Sequence, residues 1–175
     1  MKLSVAARFA AVLAVSLLAV AAAPSNNAAP QASDPNRPEG AQQATLEVSA
    51  DKLFDPAAVD PQSGAVDVTF PEHLCDQATL VVLRFRPVKN VGDGRPGFSV
   101  RASVFVNAGE ARAVELRLTL LRGADEVGGG SIPWFRADAN DISSKTGVIG
   151  LNAKDLAAGQ GLKLKVLLFV RPLVS

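Results

Sequence analysis

Gly97-Phe98-Ser99-Val100-Arg101-Ala102-Ser103-Val104-Phe105-Val106 alternates without a break. Phe98, Val100, Ala102, Val104 and Val106 take every second position, with Ser99, Arg101 and Ser103 between them. Successive side chains of an extended chain point to opposite faces, so the stretch reads as a strand with one apolar and one wetted face. The same period recurs on both sides of it. Val66, Val68 and Phe70 form one set; Val81, Leu83 and Phe85 form another, opposite Arg84 and Arg86. Val114, Leu116, Leu118 and Leu120 oppose Glu115, Arg117 and Thr119, and Leu162, Leu164, Val166, Leu168 and Val170 oppose Lys163 and Lys165. Leu46 and Val48 begin a first strand, and Thr146–Leu151 is a shorter candidate. Helical spacing is confined to a single turn at 152–159.

The connections read as turns. Residues 90–97 (NVGDGRPG) and 107–111 (NAGEA) contain the glycine and asparagine of hairpin loops, and neither is long enough for the crossover that parallel strands require. Half-buried strands must cover their apolar faces against one another, which predicts an all-β fold: an antiparallel two-sheet β-sandwich of seven or eight strands, immunoglobulin-like in a loose sense. The cysteine pair and the tyrosine corner of immunoglobulin domains are missing, since the chain holds one cysteine and no tyrosine, and Trp134 falls in a loop-like context.

The amino-terminal region has a different character. Lys2 and Arg8 precede an apolar run from Phe9 to Ala23 that ends in small residues, the pattern of a secretory signal peptide over residues 1–22. Residues 23–43 are rich in proline, asparagine, glutamine and alanine and carry no larger apolar side chain, which fits a disordered tether or pro-segment. The folded domain is expected over 44–175. The expected location is therefore secreted, extracellular or periplasmic, without membrane insertion once the leader is removed.

Loss of Lys2 and Arg8 with the leader takes the formal net charge from +1 to −1, which gives no net basic field for nucleic acid or an anionic membrane and argues against polyanion binding in general. Enzymatic chemistry finds few components. His73 and Cys75 are single in the chain and two residues apart, fewer ligands than a zinc site needs, and they fit a polar turn. Gly92-Asp93-Gly94-Arg95-Pro96-Gly97 spells the dinucleotide fingerprint, but an alternating strand follows where the helix should start. Gly128-Gly129-Gly130-Ser131-Ile132-Pro133 resembles half of a nucleophile elbow and has Pro133 in place of its last glycine, so it reads as a loop.

The segment 134–147 is the candidate site. Asp138, Asn140 and Asp141 crowd oxygen donors into four residues, a set suited to calcium as the candidate cation. Over these four positions it resembles the opening of the calcium-linker motif of cadherin repeats, and Ile142 ends the match. Trp134 and Phe135 adjoin the turn and suit a ring-stacking platform or an anchor for a partner. Leu121, Leu167 and Phe169 alternate with core positions and would form an outward apolar patch. The expected function is a non-enzymatic binding module for a protein or glycan partner at the cell surface or in the envelope, with no other cofactor. A small secreted hydrolase using carboxylates or His73 is the alternative.

Overall fold

A computed structural model describes residues 40–70, 77–152 and 161–173. The leader, the tether up to residue 39, the His73 and Cys75 segment and nearly all of the turn expected at 152–159 lie outside the described residues. Among the described residues eight strands follow in order: β1 (Gln42–Ser49), β2 (Val66–Thr69), β3 (Ala78–Val88), β4 (Gly97–Val106), β5 (Arg112–Arg122), β6 (Asp125–Ala137), β7 (Ile142–Leu151) and β8 (Leu162–Pro172). Between β1 and β2 stand two short 3-10 turns, Asp51–Phe54 and Pro56–Ala58. Among the described residues no helix is long and apolar enough to cross a membrane.

The class is all-β and every ladder is antiparallel. The strands hydrogen-bond in one sheet, ordered β1-β8-β5-β6-β7-β4-β3-β2, which curls into a half-barrel. A division into two separately bonded sheets is not what the hydrogen bonds display. Four strands stand on either side of the β6–β7 ladder, and that ladder is short: Gly128–Ser131 against Val148–Leu151. Beyond Ser131 the two strands part. Pro133 has no N–H to give, and proline inside a sheet is confined to edges and bulges. Here it sits in a bulge, for the register of β5 with β6 shifts between Val114 and Leu116, so that Pro133 and Trp134 together face Glu115.

The alternating residues fill the concave side. Val100, Val104, Leu116, Leu118, Leu164 and Leu168, drawn from both halves of the sheet, belong to one core cluster and are fully buried. Among the described residues no polar or charged residue is buried, so the concave side is packed core with no polar cavity in it. Leu53 adds to this core from the first 3-10 turn, and neighbouring Phe54 meets Phe98 edge-on with ring centroids 5.6 Å apart.

Several sequence expectations are corrected. On β3 a register shift between Leu80 and Val82 displaces Val81, so Leu80, and not Val81, joins Leu83 and Phe85 inside. Strand β1 begins at Gln42, within the expected tether, because Gln42 and Gln43 pair with Val170 and Phe169 through their backbones and need no apolar side chains. Residues 90–97 do form the β3–β4 hairpin, where Asn90 Oδ1 accepts from the amides of Gly92 and Gly94 at 2.7 and 2.9 Å. Residues 107–111 form no hairpin: β4 pairs with β3 and β7, and β5 with β6 and β8, so this link carries the chain from one half of the sheet to the other. The largest departure is β6, which the sequence presents as loop and the fold uses as a thirteen-residue strand.

Glycine makes the junction possible. A Cβ on Gly130 would collide with the carbonyl of Val148, and one on Gly147 with the carbonyl of Ser131 and with Ile132. Gly130→Ala and Gly147→Ala are each expected to destabilise the domain by about 1–3 kcal/mol through overpacking against backbone. Gly109→Ala, where the space is open, should change stability by less than about 0.5 kcal/mol. Urea unfolding of the three variants followed by Trp134 fluorescence measures the difference.

Candidate functional site

Trp134 and Phe135 are consecutive on β6 and diverge. Phe135, partner of Val114, packs against the core, whereas the bulge turns Trp134 to the outer face beside Glu115. The two rings therefore do not make one platform. Trp134 is half-buried, and Arg171 of β8 reaches past the small Ala113 of β5 to set its guanidinium over the indole, 4.3 Å from the ring centroid. A cation over an aromatic face at such a distance contributes about 0.5–1 kcal/mol at an exposed site. One step along the sheet, Arg117 lies over Phe169 at 4.6 Å, and Arg117 Nε donates to Glu115 Oε1 at 3.0 Å. Cations and aromatics thus alternate across the outer face of β8, β5 and β6.

This arrangement corrects the expected apolar patch. Phe169 is fully buried, and Leu121 and Leu167 are half-buried, so they expose no continuous apolar surface. The large apolar side chains exposed among the described residues are Ile142, Val148 and Leu173.

Asp138, Asn140 and Asp141 fall in the connection between β6 and β7. Asn140 takes a left-handed backbone, φ 55°, which asparagine tolerates better than most residues, and its amide donates to the Val106 carbonyl at 2.8 Å. That bond ties the turn to the end of β4. The Asp138 amide donates to Ser143 Oγ at 3.0 Å, and Asp138 Oδ1 accepts from Arg136 Nε at 2.7 Å. Asp141 Oδ1 accepts from the Ile142 amide at 2.7 Å. Both carboxylates thus already hold donors, and the arginine would compete with a cation for Asp138. Among the described residues no three His, Cys, Asp or Glu side chains gather as a metal-holding group. The sequence Gly128–Pro133 lies within the strand β6, so the serine elbow is absent in the form its chemistry needs.

A second surface escaped the reading of motifs. On the outer face of β2, β3, β4 and β7, Arg84 stands opposite Arg101 in the β3–β4 ladder, and Arg86 stands opposite Ser99. Thr146 of β7 is the other neighbour of Arg101. Like charges directly opposite one another on paired strands are destabilising. Arg84 is held by a two-pronged contact with Asp67 of β2, Nε to Oδ1 at 2.8 Å and Nη2 to Oδ2 at 2.7 Å. Arg86 and Arg101 form no ion pair among the described residues. The five residues Arg84, Arg86, Ser99, Arg101 and Thr146 line a shallow concavity of about 210 Å³. The alternation already put these arginines on the wetted face; what isolated positions do not convey is the register that brings them together.

No protein-family model matches this chain, and no curated protein matches it.

Hydrogen bonds from Arg84 hold the Asp67 carboxyl below its ordinary value of 3.8. A carboxylate with a depressed folded-state pKa stabilises the fold at pH above the ordinary value and loses that contribution as pH falls through the lowered one. The pair is substantially exposed, at 47% and 40% of its side chains, so solvent screens it and its share of stability is small. Asp67→Asn should therefore be less stable than wild type at pH 7, and the gap should close on acidification below about 3.8. Thermal unfolding of the two proteins between pH 2 and 7 checks both the sign and the window.

Proposed function

We propose that the chain is a secreted, extracellular or periplasmic binding module without catalytic activity, which holds a protein or glycan partner on the outer face of its sheet around Trp134. The observation that carries this reading is the half-exposed indole, turned outward by the Pro133–Trp134 bulge and braced by Arg171. An aromatic ring held in place by its neighbours loses little conformational freedom when a partner stacks on it, which favours binding. The packed apolar concave side leaves the outer face and the connections as the surfaces for recognition.

We read the curled sheet as the two layers of an immunoglobulin-like sandwich, β1-β8-β5-β6 over β7-β4-β3-β2, on the ground that their apolar faces share one core and that the ladder joining them is short. The turn at Asp138, Asn140 and Asp141 lies at the end of the strand that bears Trp134, where calcium would join the site by displacing Arg136 from Asp138. The full domain, 44–175 in the sequence reading, is offered to its partner by the tether before it.

The chain holds a single tryptophan, so its fluorescence reports on this surface alone. Titration of the purified protein with calcium, zinc and a panel of polysaccharides is expected to give a saturable change with a polysaccharide, lost by at least tenfold in affinity on Arg171→Gln while the fold is retained. Hydrolysis of the added polysaccharide, abolished by His73→Ala, is the result that would replace this reading with the hydrolase.

A further inference from the structure

We infer that the concavity formed by Arg84, Arg86, Ser99, Arg101 and Thr146 is a second binding site, distinct from the Trp134 face, for the oxyanion substituents of an acidic polysaccharide. Three guanidinium groups share one face of two paired strands, with Arg84 and Arg101 in direct cross-strand opposition. Asp67 is committed at both of its oxygens to Arg84, so it fixes the position of that arginine and leaves Arg86 and Arg101 to a ligand. Asp60 is the other acidic group that Arg84 feels, and its carboxylate is turned to the amides of Gln62 and Ser63 at 2.7 and 3.1 Å. An anion seated between Arg86 and Arg101 would offset the positive charge gathered on this face and accept from the planar forks of donors that match sulfate and carboxylate oxygens.

The remaining lining is hydroxylic. Ser99 lies beside Arg86 and Thr146 beside Arg101, each on the neighbouring strand of the same face. Hydroxyls both donate and accept, which suits the hydroxyl groups of a sugar ring adjoining its charged substituent. At about 210 Å³ the concavity is smaller than an enclosed small-molecule pocket and accommodates a charged group with part of one ring, as a chain lying across a sheet presents. Nucleic acid carries the same charge but binds single-stranded through aromatic stacking, and among the described residues no aromatic side chain lines this site. The affinity rests on the local cluster and falls with salt.

The test is calorimetric titration of the purified protein with dextran sulfate, polygalacturonate, neutral dextran and a single-stranded DNA oligonucleotide of matched charge, at low and moderate salt. Binding is expected to one or both acidic polysaccharides and not to neutral dextran. Arg86→Gln combined with Arg101→Gln should weaken it at least tenfold with an unchanged circular dichroism spectrum, and Trp134→Ala should leave it unaltered. Tighter binding of dextran sulfate assigns sulfate esters as the preferred group, and tighter binding of polygalacturonate assigns carboxylates. The inference is overturned by absence of binding to both, by undiminished binding in the double variant, or by equal or tighter binding of the oligonucleotide. Loss of acidic polysaccharide binding in Trp134→Ala would also overturn it, by moving the ligand to the other face.

Discussion

Two strands that must approach closely at one end and separate at the other set the form of this domain. Gly128–Ser131 of β6 and Val148–Leu151 of β7 make the one ladder that joins the two halves of the sheet. At Gly130 and Gly147 the facing carbonyls occupy the space in which any Cβ would stand. Immediately beyond, Pro133 withdraws a donor and the bulge with Trp134 bends β6 toward β5. Close contact followed by divergence lets one sheet curl far enough for Leu83 and Val100 to share a core with Leu116 and Leu164. A longer, straighter ladder would hold the halves side by side and leave both apolar faces wet.

The same bulge orients the outer surface. Two consecutive residues facing one on the partner strand break the strict alternation, so Pro133 and Trp134 both lie outward between the buried Ile132 and the inward Phe135. A large aromatic thereby reaches an outer face without costing the core a side chain. Arg171, Arg117 and the rings of Trp134 and Phe169 then cover that face with groups that are apolar in their stems and flat surfaces and charged at their ends. Arg117 lies over the Phe169 ring, which is fully buried although it stands on the outer side of its strand.

Legibility in the sequence followed local redundancy. Val114 to Leu120 and Leu162 to Val170 repeat the period so often that one irregularity would not conceal them, and these strands form the middle of the first half-sheet. Strand β6 carries no such signal. Its three glycines and its proline are strand-breaking by propensity, and they are present because of a neighbour distant in sequence, which the residues of β6 alone do not announce. Val81 failed similarly: the alternation of Val81, Leu83 and Phe85 is real in sequence, and a bulge moves Leu80 into its place. For the candidate site, residue types were legible and directions were not. Trp134 and Phe135 are adjacent in sequence and opposed in space, and the carboxylates at 138 and 141 are turned to donors at the ends of the two flanking strands.

Net charge and recognition at contact are different physical quantities. A sum over the chain says whether a distant polyanion is attracted, whereas recognition at contact depends on which charges share a face and which are already neutralised. Asp67 cancels one of three arginines on the face of β3 and β4, and its two-pronged geometry makes that arginine rigid. Ladder register then sets Arg86 opposite Ser99, and sets Arg101 between Thr146 and the arginine that Asp67 holds. Substitution of Arg101 by a neutral residue would remove the opposition at no cost to the core, since its side chain is exposed and the inward positions beside it, Val100 and Ala102, are untouched.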